Sequence, residues 1–130
     1  MQKLNRPIYP SAKAKTAKLH EMVCVNHAGE YGAKRIYQGQ LAFTKDLHTR
    51  AMIQHMADQE AEHLAYFEDQ IRQRGVRPSI LQPLWHIGGF ALGAATACMG
   101  KEAAMACTVA VESVIDEHYS EQEDLLEGND

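Results

Sequence analysis

Cysteine is scarce in this sequence: the 130 residues include three cysteines, and no two of them have the C-x-x-C spacing. An odd number without that spacing fits neither a disulfide framework nor a cysteine-rich zinc site. Cys98 and Cys107 lie in an apolar part of the chain, where we expect core thiols. Free thiols indicate a reducing compartment.

Basic residues are too few for a nucleic-acid-binding surface. Lys and Arg total 13 against 17 Asp and Glu, which gives a net charge of -4 and removes the usual electrostatic basis for such binding. The bases cluster before Glu21, whereas residues 112–130 contain acids and no Lys or Arg. Residues 1–11 are predicted to be an extended basic tail, either solvated or in contact with anionic lipid headgroups.

Sequences that mark common nucleophile and phosphate sites are also missing. The chain has no G-x-S-x-G, no G-x-G-x-x-G and no Walker loop. A serine hydrolase, a dinucleotide-binding fold and a P-loop enzyme are therefore disfavoured.

Strand-like alternation is rare, and apolar residues instead recur every three or four positions. This spacing predicts long helices over about residues 12–45, 46–74 and 101–126. The apolar positions predicted to form one side of the first helix are Met22, Val25, Ile36, Tyr37 and Leu41. Gly75 predicts the end of the second helix, and the short connection before that helix predicts an antiparallel hairpin.

Residues 84–99 are apolar and glycine-rich, with His86 as their only acidic or basic residue. The segment is shorter than the roughly 20 apolar residues that cross a bilayer. It predicts a short apolar helix that is either buried or lies in a membrane interface.

Glu60 and His63 form an E-x-x-H sequence in the second predicted helix. Residues three apart share one side of a helix, so their carboxylate and imidazole point the same way. Such a pair supplies half of the metal pocket in di-iron bundles, where a lone glutamate comes from a neighbouring helix. The alternative is a solvated polar pair, but the same side carries Ile53, Met56 and Phe67. A charged pair on a buried side must be paired or bound to metal.

Two further glutamates lie among apolar neighbours. Glu30 is in the apolar-periodic part of the first helix, and a hairpin can bring it opposite Glu60; the alternative is an ordinary surface glutamate. Glu112 is out of place among the neighbours at residues 108–113 unless it meets a cation. His118 is rotated by about 240° from Glu112 and cannot face the same metal, whereas Asp116 could.

Four segments together resemble the demethoxyubiquinone hydroxylase family, over about residues 19–122. They are residues 26–33 (NHAGEYGA), 58–63 (DQEAEH), 89–94 (GFALGA) and 105–112 (MACTVAVE), followed by His118 and Tyr119. The resemblance implies an all-α, ferritin-like helical bundle with about three long helices and one short apolar helix. It implies a single ferritin-like domain over residues 1–130.

The resemblance also implies a site and an activity. By position, the iron ligands would be Glu30, Glu60, His63 and Glu112, and the catalytic pair beside them would be His118 and Tyr119. The implied enzyme is a 3-demethoxyubiquinol 3-hydroxylase, a di-iron monooxygenase of ubiquinone biosynthesis with two iron ions per complete site. Its partners would be O2 and a polyprenyl quinone, with no nucleic acid.

The apolar segment 84–99 matches the family segment that is thought to meet the membrane and admit the isoprenoid tail. We expect the tail along Leu84, Trp85, Phe90 and Leu92. The expected location is the cytoplasmic face of a bacterial cell membrane, as a peripheral protein, with the mitochondrial inner membrane as the alternative.

One family feature has no counterpart in this sequence: a second E-x-x-H after His118 and Tyr119. At most four of six protein ligands are then present, and we expect the fourth core helix to be missing. Three explanations remain open: an impaired fragmentary chain, a second chain that completes the site, or a homo-oligomer that pairs two sets of ligands. The alternative function is an inactive or scaffold member that binds partners or metal without turnover.

Overall fold

A computed structural model describes residues 12–127, which form four helices joined by short connections. The helices are α1 (Ala12–Phe43), α2 (Leu47–Arg74), α3 (Gln82–Cys98) and α4 (Lys101–Glu127). No strand occurs within this range. The prediction of an all-α bundle with three long helices and one short apolar helix is therefore confirmed, whereas the predicted tail at residues 1–11 lies outside the described residues.

Helix α1 is central and packs against the other three helices. Asn26 pairs with Gln122 and Gln40 with Thr108, so residue numbers fall along α4 as they rise along α1. The two helices are therefore antiparallel, and α1 and α2 form the predicted antiparallel hairpin, in which Glu30 faces His63.

Local capping explains where α2 begins and ends. The Asp46 side chain accepts hydrogen bonds from the backbone N–H of Thr49 at 2.9 Å and from its hydroxyl at 2.6 Å, as a helix N-cap does. Arg50 then donates to the carbonyl oxygen of Thr44 at 2.9 Å, which holds the end of α1 against the start of α2. Gly75 ends α2 as predicted, with a left-handed φ of 64° that glycine adopts without strain.

Helices α1 and α3 approach each other through glycines. A Cβ placed on Gly93 would lie 1.9 Å from the carbonyl oxygen of Ile36, and one on Gly39 would lie 2.1 Å from that of Phe90. Both distances are far below van der Waals contact, so this crossing requires glycine at both positions.

The bulky side chains of α3 point away from this contact. The buried residues of α3 are Gly89 and Gly93, while Leu84, Trp85 and Ile87 are exposed. A fully buried helix is therefore the wrong reading of segment 84–99. The expectation of core thiols is also wrong for Cys98, which is exposed at the end of α3, and Cys107 is only partly buried.

The buried side of α1 is mostly polar, which the apolar spacing did not predict. Its buried residues are Val23, Asn26, His27, Glu30, Ala33, Tyr37 and Gln40, with the glycine at position 39. Val25, predicted on the core side, is 43% exposed. The prediction is confirmed for Tyr37, which is fully buried, and for Ile36 and Leu41, which pack against the core. It is wrong for Val25, because much of the side of α1 that meets α2 and α4 is occupied by polar groups.

Candidate metal centre

Helices α1 and α2 bring together three of the four predicted ligands. One ligand atom from each of Glu30, Glu60 and His63 lies within 4.8 Å of the other two. The His63 Nδ1 atom is 3.7 Å from Glu30 Oε1 and 3.7 Å from Glu60 Oε2. Glu30 and Glu60 are only 1% and 2% exposed, whereas the His63 side chain is 55% exposed and forms the open side of the group.

The two buried carboxylates lack hydrogen-bond partners that their charge requires. The Oε2 atoms of Glu30 and Glu60 are both buried and accept no hydrogen bond, an arrangement that costs free energy unless a cation compensates for it. Burial is the main cause that raises the pKa of Glu30. Carboxylates with an imidazole are a donor set that suits iron and similar divalent ions, so the residues present fit a metal centre.

Glu112, the fourth predicted ligand, lies next to this group but outside it. It is half-buried on α4 and accepts a hydrogen bond from the hydroxyl of Tyr37 at 2.6 Å. Its charge also raises the pKa of Glu30, after the larger effect of burial. Asp116, the other acid on α4 that the sequence allowed, is exposed and does not join the group among the described residues.

Tyr119 and His118 lie on α4 beside Glu30. The Tyr119 hydroxyl donates to Glu30 Oε1 at 2.5 Å, and its ring stacks on Phe67 with centroids 6.3 Å apart. His118 and Glu30 line a cavity of about 190 Å³, and the buried His118 Nε2 atom has no hydrogen-bond partner. Tyr119 therefore contacts the carboxylate group directly, and His118 borders the adjacent cavity.

Sequence reasoning missed Tyr37 as a residue of this site. Tyr37 follows Glu30 by seven positions, and Tyr119 follows Glu112 by the same interval. Seven residues are close to two helical turns, so each pair shares one side of its helix. This repeated E-x6-Y spacing is the signal that could have identified Tyr37.

Burial keeps both tyrosine hydroxyls protonated. Burial is the main cause that raises the pKa of Tyr37, and the neighbouring Glu112 adds to it. Burial likewise raises the pKa of Tyr119, followed by its hydrogen bond to Glu30. Both groups therefore act as hydrogen-bond donors to the carboxylates at ordinary pH.

Polar pairs above and below the site hold α1 and α4 in register. Asn26 and Gln122 exchange two amide hydrogen bonds of 2.9 and 2.6 Å. On the other side of the site, Gln40 donates to the carbonyl oxygen of Ala104 at 3.0 Å. Because each buried amide needs its partner, these pairs align Glu30 with Tyr119 and Tyr37 with Glu112.

An apolar cavity of about 660 Å³ lies between α1, α3 and α4. It shares Val25, Gly29, Val114 and Ile115 with the smaller cavity beside Glu30.

Only some of the residues expected along the isoprenoid tail line this cavity. Trp85 and Leu92 line it, but Leu84 and Phe90 do not. Leu84 is 59% exposed, and the guanidinium of Arg35 lies 5.0 Å from the Phe90 ring centroid.

Within residues 12–127, no helix combines the length and the hydropathy that crossing a membrane requires. This agrees with the short apolar helix expected from segment 84–99.

Comparison with known proteins places this arrangement in a family. Three of the similar curated proteins are all hydroxylases by name. The "NADPH-dependent 3-demethoxyubiquinone 3-hydroxylase, mitochondrial" of Dictyostelium discoideum is 52% identical over 110 residues, covering 85% of this chain and 51% of that protein. The "3-demethoxyubiquinol 3-hydroxylase" of Rhodospirillum rubrum is 48% identical over 118 residues, covering 90% of this chain and 56% of that protein. The "5-demethoxyubiquinone hydroxylase, mitochondrial" of Saccharomyces cerevisiae is 46% identical over 111 residues, covering 84% and 48% respectively.

The chain spans about half the length of the curated relatives it matches. A family model described as "Ubiquinone biosynthesis protein COQ7" matches residues 17–130, which is most of the sequence and includes every predicted site residue. The resemblance that the sequence segments indicated is therefore confirmed, and the chain belongs to the COQ7 family of ubiquinone biosynthesis proteins.

Proposed function

We propose that this chain provides the metal centre of a di-iron monooxygenase that hydroxylates the ring of a demethoxyubiquinone or demethoxyubiquinol. The observation that carries the proposal is the group formed by Glu30, Glu60 and His63, whose ligand atoms lie within 4.8 Å of one another. The names of the family relatives supply the substrate and the reaction.

Glu30, Glu60, His63 and Glu112 would hold the iron. Two bound iron ions would supply the activation of O2, in which one oxygen atom enters a ring C–H bond and the other leaves as water, with two electrons and two protons from an external reductant. The three carboxylates supply negative charge, which offsets the charge of the cations. Since His63 is the exposed member, we propose that the open side of the centre lies next to it.

We propose that Tyr119 orients the Glu30 carboxylate at this centre. Its hydroxyl donates to Glu30 Oε1, the oxygen that lies 3.7 Å from His63 Nδ1, and so would fix the orientation of the Glu30 carboxylate while Glu30 Oε2 keeps no hydrogen-bond partner. We propose that His118, which borders the cavity beside Glu30, takes part in the chemistry there or in electron transfer.

The quinone would enter through the apolar cavity between α1, α3 and α4. Its walls include Trp85, Leu92 and Cys107, and burying an isoprenoid tail there would contribute roughly 0.8 kcal/mol per CH2. The cavity shares Gly29 and Ile115 with the smaller cavity that borders Glu30. A tail held in the larger cavity could therefore present its ring toward the carboxylates.

We further propose that the chain works as a peripheral membrane protein, with the exposed apolar side of α3 in the lipid interface. The names of three relatives from eukaryotes include the word mitochondrial, which favours the inner mitochondrial membrane among eukaryotes. The bacterial relative leaves the cytoplasmic face of a cell membrane as the counterpart.

The iron content of the purified chain, measured together with its oligomeric state, tests the proposal. After anaerobic loading with Fe(II), we expect about two iron ions per complete site. A dimer that builds one site from two copies would hold about one iron per chain. Glu60→Ala should abolish binding, because it removes a buried ligand that only a cation satisfies.

Glu62→Ala is the matched control, since Glu62 lies on the same helix but is exposed, and it should bind iron like the wild type. A monomer with less than one iron per chain would contradict the proposal. That result would favour the alternative of an inactive or scaffold member of the family.

A further inference from the structure

Two tyrosines hold two carboxylates across the same pair of helices. Tyr119 on α4 donates to Glu30 on α1, and Tyr37 on α1 donates to Glu112 on α4. The two contacts are reciprocal because α1 and α4 are antiparallel and each tyrosine follows a glutamate by seven residues. Tyr37 therefore makes the same kind of hydrogen bond to Glu112 that Tyr119 makes to Glu30.

The surroundings of Tyr37 restrict its hydroxyl to this contact. Tyr37 is 0% exposed and packs in the core cluster with Ala33 and Ile53. A ring enclosed in this way has few rotamers available, so its hydroxyl cannot turn to water. Glu112 is only half-buried, so without Tyr37 its carboxylate would have access to other rotamers and to solvent.

We propose that Tyr37 is a positioning residue of the metal centre, which holds Glu112 Oε1 and so orients the carboxylate toward the group formed by Glu30, Glu60 and His63. The inference rests on the proposed function, in which Glu112 is an iron ligand. Hydrogen bonds from a hydroxyl to a carboxylate are short and strong. Partners that orient a metal ligand typically contribute 10–100-fold to metal affinity.

The test is the substitution Tyr37→Phe, which removes the hydroxyl and keeps the ring. Anaerobic titration of the 130-residue chain with Co(II) measures affinity, and the visible absorption of bound Co(II) reports the coordination geometry. We expect a loss of about 10–100-fold in affinity for at least one ion, together with a changed absorption spectrum. Tyr66→Phe is the matched control, because Tyr66 is 59% exposed on α2, and it should leave both unchanged.

A double-mutant cycle separates positioning from a merely structural role. Glu112→Gln removes the charge of the proposed ligand but retains an oxygen that can accept from Tyr37. If Tyr37 acts through Glu112, Tyr37→Phe causes little further loss of Co(II) affinity in the Glu112→Gln background. Additive losses would overturn the proposal, because they would mean that Tyr37 acts on the metal by another route.

The outcomes also distinguish this inference from the proposed function. A wild-type chain that binds neither Fe(II) nor Co(II) would contradict the metal centre itself and the role of Tyr37 with it. If the wild type binds metal and Tyr37→Phe binds it equally well with the same spectrum, only the positioning role is overturned. If circular dichroism finds Tyr37→Phe unfolded, the Tyr37 hydroxyl is needed for the fold itself, and a role that acts on the metal centre through Glu112 is overturned as well.

Discussion

The side chain of Glu30 is buried, and burial disfavours the charged form of its carboxylate. Glu30 is 1% exposed, and burial raises its pKa from the ordinary value of 4.5, with the charge of Glu112 adding to the effect. The Tyr119 hydrogen bond and His63 oppose the shift only in part. A residue that destabilises the metal-free chain in this way is typical of a functional site, where stability is given up for binding.

The metal-free chain should therefore become more stable when Glu30 loses its charge. In EDTA at pH 7.5, we expect Glu30→Gln to raise the free energy of unfolding by about 1–3 kcal/mol, the usual cost of an unsatisfied buried polar group. Since the folded chain binds this proton more tightly than the unfolded chain, the stability of the wild type falls as pH rises above the unfolded value of about 4.5. The advantage of Glu30→Gln should accordingly shrink as the pH is lowered toward that value.

Thermal unfolding followed by circular dichroism at several pH values measures this effect. Glu62→Gln serves as the comparison, since Glu62 is exposed on α2 and its neutralisation should change stability little. A Glu30→Gln variant that is no more stable than the wild type at pH 7.5 would show that the buried carboxylate is already compensated.

At the scale of the helices, the contact between α1 and α3 depends on the absence of side chains at a few positions. Gly89 and Gly93 face α1, and a Cβ on Gly93 would lie 2.8 Å from the carbonyl carbon of Ile36 in addition to its oxygen. The obstacles are backbone atoms, which cannot turn aside as a flexible side chain can. The helices would have to separate, and the walls of the apolar cavity would move with them.

We expect Gly93→Ala to lower the free energy of unfolding by about 1–3 kcal/mol, the range for overpacked contacts. Gly88→Ala is the matched control in the same helix, because a Cβ there meets nothing within 4 Å. This control should be neutral or more stable by up to about 1 kcal/mol, since alanine favours a helix over glycine. Urea unfolding of the two variants measures the contrast, and equal stabilities would contradict the close α1–α3 crossing.

At the scale of the whole molecule, the bundle keeps its polar contacts inside and exposes a row of large apolar side chains. Ile80, Leu84 and Ile87 are 93%, 59% and 70% exposed near the start of α3. A cluster of this kind on a protein surface indicates a contact with a membrane or another protein. Trp85, the single tryptophan of the sequence, lies in this cluster and also lines the apolar cavity.

The emission of Trp85 should therefore report membrane binding. On addition of vesicles that contain anionic lipid, we expect its fluorescence to shift to shorter wavelength, because the indole leaves water. Ile87→Glu should weaken vesicle binding by about 10–100-fold, which corresponds to the 1.5–3 kcal/mol of burying one large apolar side chain.

Leu47→Glu is the control for this experiment, since Leu47 is 82% exposed but lies at the start of α2. It should bind vesicles like the wild type. Equal weakening by the two substitutions would mean that the apolar side of α3 has no special role in membrane binding.

The sequence by itself determined the helices and most of the candidate ligands. Asp46 and Gly75 mark the ends of α2 through chemistry confined to a few neighbouring residues, and Glu60 and His63 share one side of that helix because of their spacing alone. Local spacing carries this information because a helix repeats at 3.6 residues per turn.

Only the tertiary structure decided which side of α1 is buried and which groups meet there. Val25 lies outside the core although its spacing predicted otherwise, and Tyr37 meets Glu112 across 75 positions of sequence. Spacing along one helix determines which residues share a side, but the partner of that side depends on how distant helices pack. That packing rests on buried hydrogen bonds and on the close approach of α3 to α1, so the two tyrosines and the carboxylates they hold could be paired only in the folded chain.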